Sequence, residues 1–130
     1  MMSRVTFSLF VVLLLVYHYT AEGSELTFWD GANFTGNAAQ VRRTFMGQTC
    51  YNNYIAKASS ITWKDLPTTG LFDGKSKIAF YSNPFCLGVT RAWFTTEKDF
   101  PADLALNKLK DTVRSFMLWQ TSKAVRAYKY

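Results

Sequence analysis

One spacing pattern occurs twice in this chain and constrains its fold more than any other feature. Trp29 is followed by four residues, Phe34, one residue and Gly36; Tyr81 is followed by four residues, Cys86, one residue and Gly88. Downstream, Ser60-Ile61 answers to Ser115-Phe116. The copies stand about 50 residues apart, the length of one supersecondary unit used twice. A ring on one strand can reach across a folded-over hairpin to the residue five positions on. The glycine supplies a positive φ at little steric cost. The serine hydroxyl can bond backbone that such a hairpin leaves without a ladder partner.

Short β-rich runs surround the repeat. Residues 26–29 (LTFW), 39–43 (AQVRR), 59–63 (SSITW), 77–81 (KIAFY), 89–94 (VTRAWF) and 114–119 (RSFMLW) read as strands between Gly, Asn, Asp and Pro clusters. Residues 64–70, with Pro67 and Gly70, read as a linker between the halves. Only residues 102–110 (ADLALNKLK) have helical spacing, through Leu104, Leu106 and Leu109. That is about two turns, too short to hold without packing. The expectation is an all-β sandwich domain over residues 24–119, with one motif at about 25–66 and a second at about 76–119.

The doubled motif resembles that of the βγ-crystallin family, in which an aromatic, four residues, an aromatic, one residue and Gly precede a Ser on the fourth strand. Trp29, Phe34, Gly36 and Ser60 fill the first copy. Tyr81, Gly88 and Ser115 fill the second, with Cys86 where an aromatic is usual. The resemblance implies two Greek-key motifs packed as one β-sandwich, of the secreted, killer-toxin-like or other non-lens type. It also implies that Cys86 lies in a hairpin folded against the domain, so that a bridge to Cys50 would tie the motifs together. An even pair of cysteines in an oxidising compartment is most simply one disulfide; two free thiols are the other arrangement.

Many members of that family bind calcium through Asn/Asp, Asn/Asp, two variable residues, Ser/Thr and Ser. At residues 55–60 (IAKASS), Ser59 and Ser60 remain and both acid or amide positions are lost. At residues 110–115 (KDTVRS), Asp111 and Ser115 remain beside Lys110 and Arg114. Calcium needs several oxygen ligands and is opposed by neighbouring cations. Ser59, Asp111 and Ser115 therefore read as remnants, and no calcium site or other cofactor is expected.

Ahead of the repeat, Arg4 is the only charge before Glu22, and residues 5–17 form an apolar run closed by polar His18, Tyr19 and Thr20. With small Ala21 and Gly23 after it, this reads as a signal peptide over residues 1–23. The run is shorter than the roughly 20 residues that cross a bilayer. The expectation is a secreted, extracellular protein with no transmembrane segment once cleaved. Cleavage takes one base and one acid from the chain's 15 and 9, which keeps the net charge at +6, and it takes the one histidine, His18. Without imidazole, Ser-His-Asp and Cys-His nucleophile systems and histidine-bound zinc are excluded. Asp65, Asp73, Glu97, Asp99 and Asp103 are scattered among lysines, and no phosphate loop or nucleophile elbow is present. The protein is not expected to be an enzyme.

What remains are surface features. The four tryptophans, with Phe34, Phe80, Phe94 and Phe116, sit at strand positions and read as core rather than as a carbohydrate platform. Tyr51 and Tyr54, in a polar stretch, read as exposed. Asn33-Phe34-Thr35 is a sequon, which makes Asn33 a candidate for glycosylation. Residues 24–111 hold 10 bases and 8 acids, whereas residues 112–130 hold Arg114, Lys123, Arg126 and Lys129 with no acid. The tail at 120–130, with Tyr128 and Tyr130 among its bases, reads as a solubilising terminus or as a contact for an anionic cell surface or wall component. It offers no element for reading nucleic acid. The function expected is that of a monomeric, non-enzymatic secreted binding protein, antimicrobial, toxin-like or host-interacting. The alternatives are a peptidase inhibitor presenting residues 45–53 or 64–75 to a protease, and an extracellular structural or stress protein with no discrete ligand.

Overall fold

Alternating apolar positions give each short strand one face to bury, and two sheets meet on those faces. The computed structural model describes residues 23–53 and 57–123. The segment read as a signal peptide, Tyr54 and the tail beyond Lys123 lie outside the described residues. The strands are β1 (Ser24–Gly31), β2 (Thr35–Arg43), β3 (Cys50–Asn52), β4 (Ser60–Lys64), β5 (Thr69–Phe72), β6 (Lys77–Asn83), β7 (Leu87–Phe94) and β8 (Ser115–Trp119). One sheet has the order β2-β1-β4 and the other β3-β8-β6-β7.

β3 is the strand that interlocks the halves. It belongs to the first motif by sequence, yet it pairs in the second sheet, with Tyr51 opposite Phe116 and Asn52 opposite Ser115. The second motif reciprocates without a regular strand. Pro101 C=O accepts from Ile61 N–H at 3.1 Å, and Leu104 N–H donates to Ser59 C=O at 2.8 Å, so residues 101–104 lie along β4. A proline has no N–H for a ladder, which keeps this edge irregular.

The core lies between the sheets. Leu26 and Phe28 of β1 and Ile61 and Trp63 of β4 face Ile78 and Phe80 of β6 and Phe116 of β8. Phe28 meets Phe80 edge-on at 6.3 Å and Phe116 at 6.2 Å, and Trp63 lies 6.2 Å from Phe80. Such contacts add to the burial of large rings, which dominate cores of this size. A smaller cluster covers the outer face of the second sheet: Cys50, Ala79, Tyr81, Cys86, Met117 and Trp119.

Each β-hairpin that opens a motif folds over and is latched by the predicted serine. Ser60 Oγ donates to Gly31 C=O at 2.7 Å and accepts from Phe34 N–H at 3.0 Å. Ser115 Oγ donates to Asn83 C=O at 2.6 Å and accepts from Cys86 N–H at 2.9 Å. Gly36 (φ 80°) and Gly88 (φ 84°) take the left-handed conformation that lets the chain leave the fold-over. A Cβ there would collide with Asp30 Oδ1 or Ser82 Oγ. Those two atoms accept from Asn37 N–H and Val89 N–H, both at 2.8 Å, so the hairpins correspond bond for bond.

Four local expectations need correction. The ring of Phe34 meets Phe100 at 6.5 Å rather than Trp29, whose Nε1 donates to Thr62 Oγ1. The two-turn helix is only a 3-10 turn, Leu104–Asn107; Leu104 and Leu109 are buried while Leu106 is 83% exposed. Lys108 in the left-handed region closes that turn early. The end of the linker is not irregular but opens β5, which runs on to Phe72 and whose chain is held by Ser76, Thr95 and Pro67: Thr95 Oγ1 donates to Pro67 C=O at 2.6 Å. Tyr51 is half-buried, stacked on Phe116 at 5.5 Å, because β3 carries it into the second sheet.

Ser60 and Ser115 are fully buried, so their removal strands two backbone groups each. Ser60→Ala and Ser115→Ala should each lower unfolding free energy by about 1–3 kcal/mol. Urea denaturation with an unchanged slope checks this; a loss under about 0.5 kcal/mol would show the latches to be dispensable.

Candidate functional site

The surface chemistry of this domain gathers on the outer face of the second sheet. At one end of that face Cys86, in the β6–β7 hairpin, is bridged to Cys50 of β3, with Cα atoms 5.9 Å apart. Both cysteines are therefore oxidised. With a separation of 36 residues, the bridge is worth about 4 kcal/mol in the chain-entropy account. Cys86 packs beside Tyr81, in the place where the first hairpin has Phe34. Burial raises the Tyr81 phenol above its ordinary range, and the Trp119 Nε1–H that it accepts at 2.9 Å offsets part of that rise.

At the other end the surface turns basic. Lys77 Nζ lies 4.8 Å from the Phe94 ring centre and 5.2 Å from that of Phe72. Lys75 Nζ lies 5.5 Å from Phe94, and Lys123 Nζ 6.0 Å from Trp119. Phe72 in turn packs on Trp119 at 6.0 Å. β5 makes this possible by laying its hairpin against the end of β8, where Leu71 N–H donates to Gln120 C=O at 2.8 Å. Among the described residues none of the three ammonium groups is within 4.0 Å of a carboxylate, so the face keeps its charge. Lys75, Lys77, Phe72 and Leu71 were not singled out by sequence reasoning. Their spacing is uninformative until β5 brings the linker onto the sheet.

Of the tail residues, Lys123 reaches this face; Arg126, Tyr128, Lys129 and Tyr130 lie outside the described residues. Trp63, Trp119, Phe80 and Phe116 are buried, while Trp29, Trp93, Phe34 and Phe94 are half-buried. Asn33 is exposed in the first hairpin, with φ 54°, and its N–H donates to Ala102 C=O at 2.7 Å.

No family model and no curated protein matches this chain. Two solved structures are similar to it. One, described as "Evolution of the eye lens beta-gamma-crystallin domain fold", is 18% identical and covers 77% of this chain and 88% of its own, with a TM-score of 0.46. The other, a betagamma-crystallin from an archaeon, is 19% identical and covers 73% of this chain and 96% of its own, with a TM-score of 0.43. The swapped β3 and the two serine-latched hairpins are features of the chain itself. The fold is βγ-crystallin-like.

In this βγ-crystallin-like domain the residues read as calcium remnants are divided between two places. Ser59, Asp30, Asp103 and Asp111 line an open cleft of about 380 Å³, together with Lys57 and Lys110. Two of the acids already serve backbone: Asp30 accepts from Asn37 N–H, and Asp103 Oδ1 from Ala105 N–H at 3.1 Å. Ser115 lies elsewhere, spent on its hairpin. A divalent ion would have to displace two lysines and uncap two turns.

Two measurements follow from this geometry. Millimolar calcium chloride should move the melting temperature no further than sodium chloride of equal ionic strength; a rise of several degrees would mean the cleft binds calcium. For Tyr81 the sign is that of an acid whose folded pKa is raised. Its stabilisation is whole below the unfolded value of about 10 and is lost as pH climbs above it. Native stability should therefore fall more steeply above pH 10 than that of Tyr81→Phe, with late tyrosinate absorbance appearing only on unfolding.

Proposed function

We propose that this chain is a secreted, non-enzymatic binding protein that acts at an anionic cell surface or wall, in an antimicrobial, toxin-like or host-interacting role. The observation that carries this reading is the meeting of two basic elements. Lys75 of the β5 hairpin and Lys77 of β6 have no carboxylate partner among the described residues, and Lys123, at the root of the acid-free tail, lies over Trp119 on the same face. Charge gathered on one side attracts an anionic surface more than the same charge spread out, because each lysine falls within one Debye length of the partner. The aromatic floor supports binding rather than reaction chemistry: it holds the ammonium groups in place and brings no nucleophile.

A peptidase inhibitor is the second reading, supported by Met46. It is 63% exposed, its N–H donates to Tyr51 Oη at 2.9 Å, and the chain just after it is anchored by Gln48 and the Cys50–Cys86 bridge. Retention on an anionic support and on isolated cell walls separates the two. Removal of residues 124–130 takes away Arg126 and Lys129. At about 1 kcal/mol per base near an anionic surface, this should weaken retention roughly 25-fold at low salt. Retention that is absent, or unaffected by both truncation and salt, would sink the surface reading. Inhibition of a protease panel by the truncated protein would favour the second.

A further inference from the structure

Resting on the secretion reading above, we infer that Asn33 carries an N-linked glycan, added in the secretory pathway before the first hairpin closes. Asn33-Phe34-Thr35 is the chain's one Asn-X-Ser/Thr sequence. It lies in the fold-over between β1 and β2. Asn33 is exposed there, and among the described residues its carboxamide has no hydrogen-bond partner; its backbone N–H alone is engaged, by Ala102 C=O. The folded domain therefore leaves the acceptor nitrogen free.

The twin hairpin supplies an internal control. With Trp29 set on Tyr81, Asn33 and Phe34 correspond to Phe85 and Cys86, and Thr35 to Leu87. The backbone is alike at the first two positions: φ is 54° and 58° in one hairpin, 62° and 57° in the other. Asn is enriched among non-glycine residues in the left-handed region, so that conformation alone could explain Asn33. Phe85 takes it with a phenyl side chain, and its N–H finds an acceptor as that of Asn33 does, in Asn52 Oδ1 at 2.9 Å. Thr35 Oγ1 donates to Ala32 C=O at 2.6 Å, yet Leu87 holds the corresponding place with no hydroxyl. The fold-over thus requires neither side chain of the sequon. Glycan attachment accounts for both at once.

In the transfer, the Asn33 side-chain nitrogen attacks the anomeric carbon of an oligosaccharide carried on a polyprenyl pyrophosphate. A C–N bond forms, the bond from that carbon to the phosphate oxygen breaks, the lipid pyrophosphate leaves, and the nitrogen gives up one proton to a base. Nothing is oxidised or reduced. The acceptor is the chain before it folds: once the hairpin closes, the Thr35 hydroxyl is bonded to Ala32 C=O and the Phe34 ring is packed on Phe100 at 6.5 Å. The glycan is then borne by the hairpin of the first sheet, whereas Lys77 belongs to the second.

The test is expression of the full chain in cultured eukaryotic cells, with peptide mapping of the protein from medium and cells before and after treatment with peptide N-glycosidase. The parent should appear in the medium as a species that the glycosidase lowers by one step in mass, with Asn33 converted to Asp. Asn33→Gln and Thr35→Ala should each be secreted without that step, and Thr35→Ser should keep it, because the sequon needs the hydroxyl. Deglycosylated parent should melt with Asn33→Gln, since the exposed side chain has no hydrogen bond to lose. A parent secreted without a glycan, or a glycan that persists in both Asn33→Gln and Thr35→Ala, would overturn the inference and leave secretion standing. A parent found only in the cytosol and unglycosylated would sink the secretion reading together with this one.

Discussion

A buried hydroxyl holds each half of this protein together. Where β1 or β6 ends, the chain folds back over its own sheet, and the fold-over removes a C=O and an N–H from the ladder. Ser60 and Ser115 reach up from the strand beneath and satisfy one of each. No other side chain does this as compactly, since the atom must donate and accept within about 3 Å of its own backbone. Without the latch, a hairpin could lie flat and extend its sheet, exposing what it now covers. The glycines, the positive-φ residues before them and the Asp30 and Ser82 caps all depend on this geometry.

What the fold-over covers differs between the halves, and that difference sets the chemistry of the two outer faces. The first sheet shows a polar outer face, with Glu25 paired to Arg42 at 2.7 Å. The second carries an apolar outer layer, sealed at one end by the Cys50–Cys86 bridge and at the other by Phe72 on Trp119. A disulfide in place of an aromatic gives a small fold-over a covalent tie to the swapped strand, where a ring would give only contact area. At the opposite end, lysines complete the coverage by lying over rings with their stems packed and their charges outward. The same side chains thus close a minor core and create a basic surface.

The repeat, the two serines and the two glycines were legible in the sequence because they answer to local geometry: a spacing of five and seven positions is the shape of one folded hairpin. The cysteine pair was legible from its count, the oxidising compartment expected from residues 1–23, and the family likeness. β3 was not, because three residues containing Asn52 have no strand pattern of their own; they pair only because β8 offers an edge. For the same reason Tyr51 read as exposed although it stacks on Phe116. Leu106 read as one of the apolar positions of a two-turn helix, but the chain leaves its 3-10 turn after Asn107 and Leu106 stays exposed.

The sequence by itself determined that the chain folds as two latched all-β motifs, that its cysteines can bridge, and that its basic excess lies late in the chain. Those properties follow from spacing, pairing and charge, which do not depend on distant neighbours. Only the tertiary structure decided where that charge acts. Lys75 lies by sequence between the linker and the next strand, Lys77 starts that strand, and Lys123 lies nearly 50 positions away. They share a surface because β5 hydrogen-bonds to the end of β8, bringing Phe72 onto Trp119 and the lysines onto the rings. A hydrogen bond between segments so far apart in the chain leaves no periodic mark in the sequence.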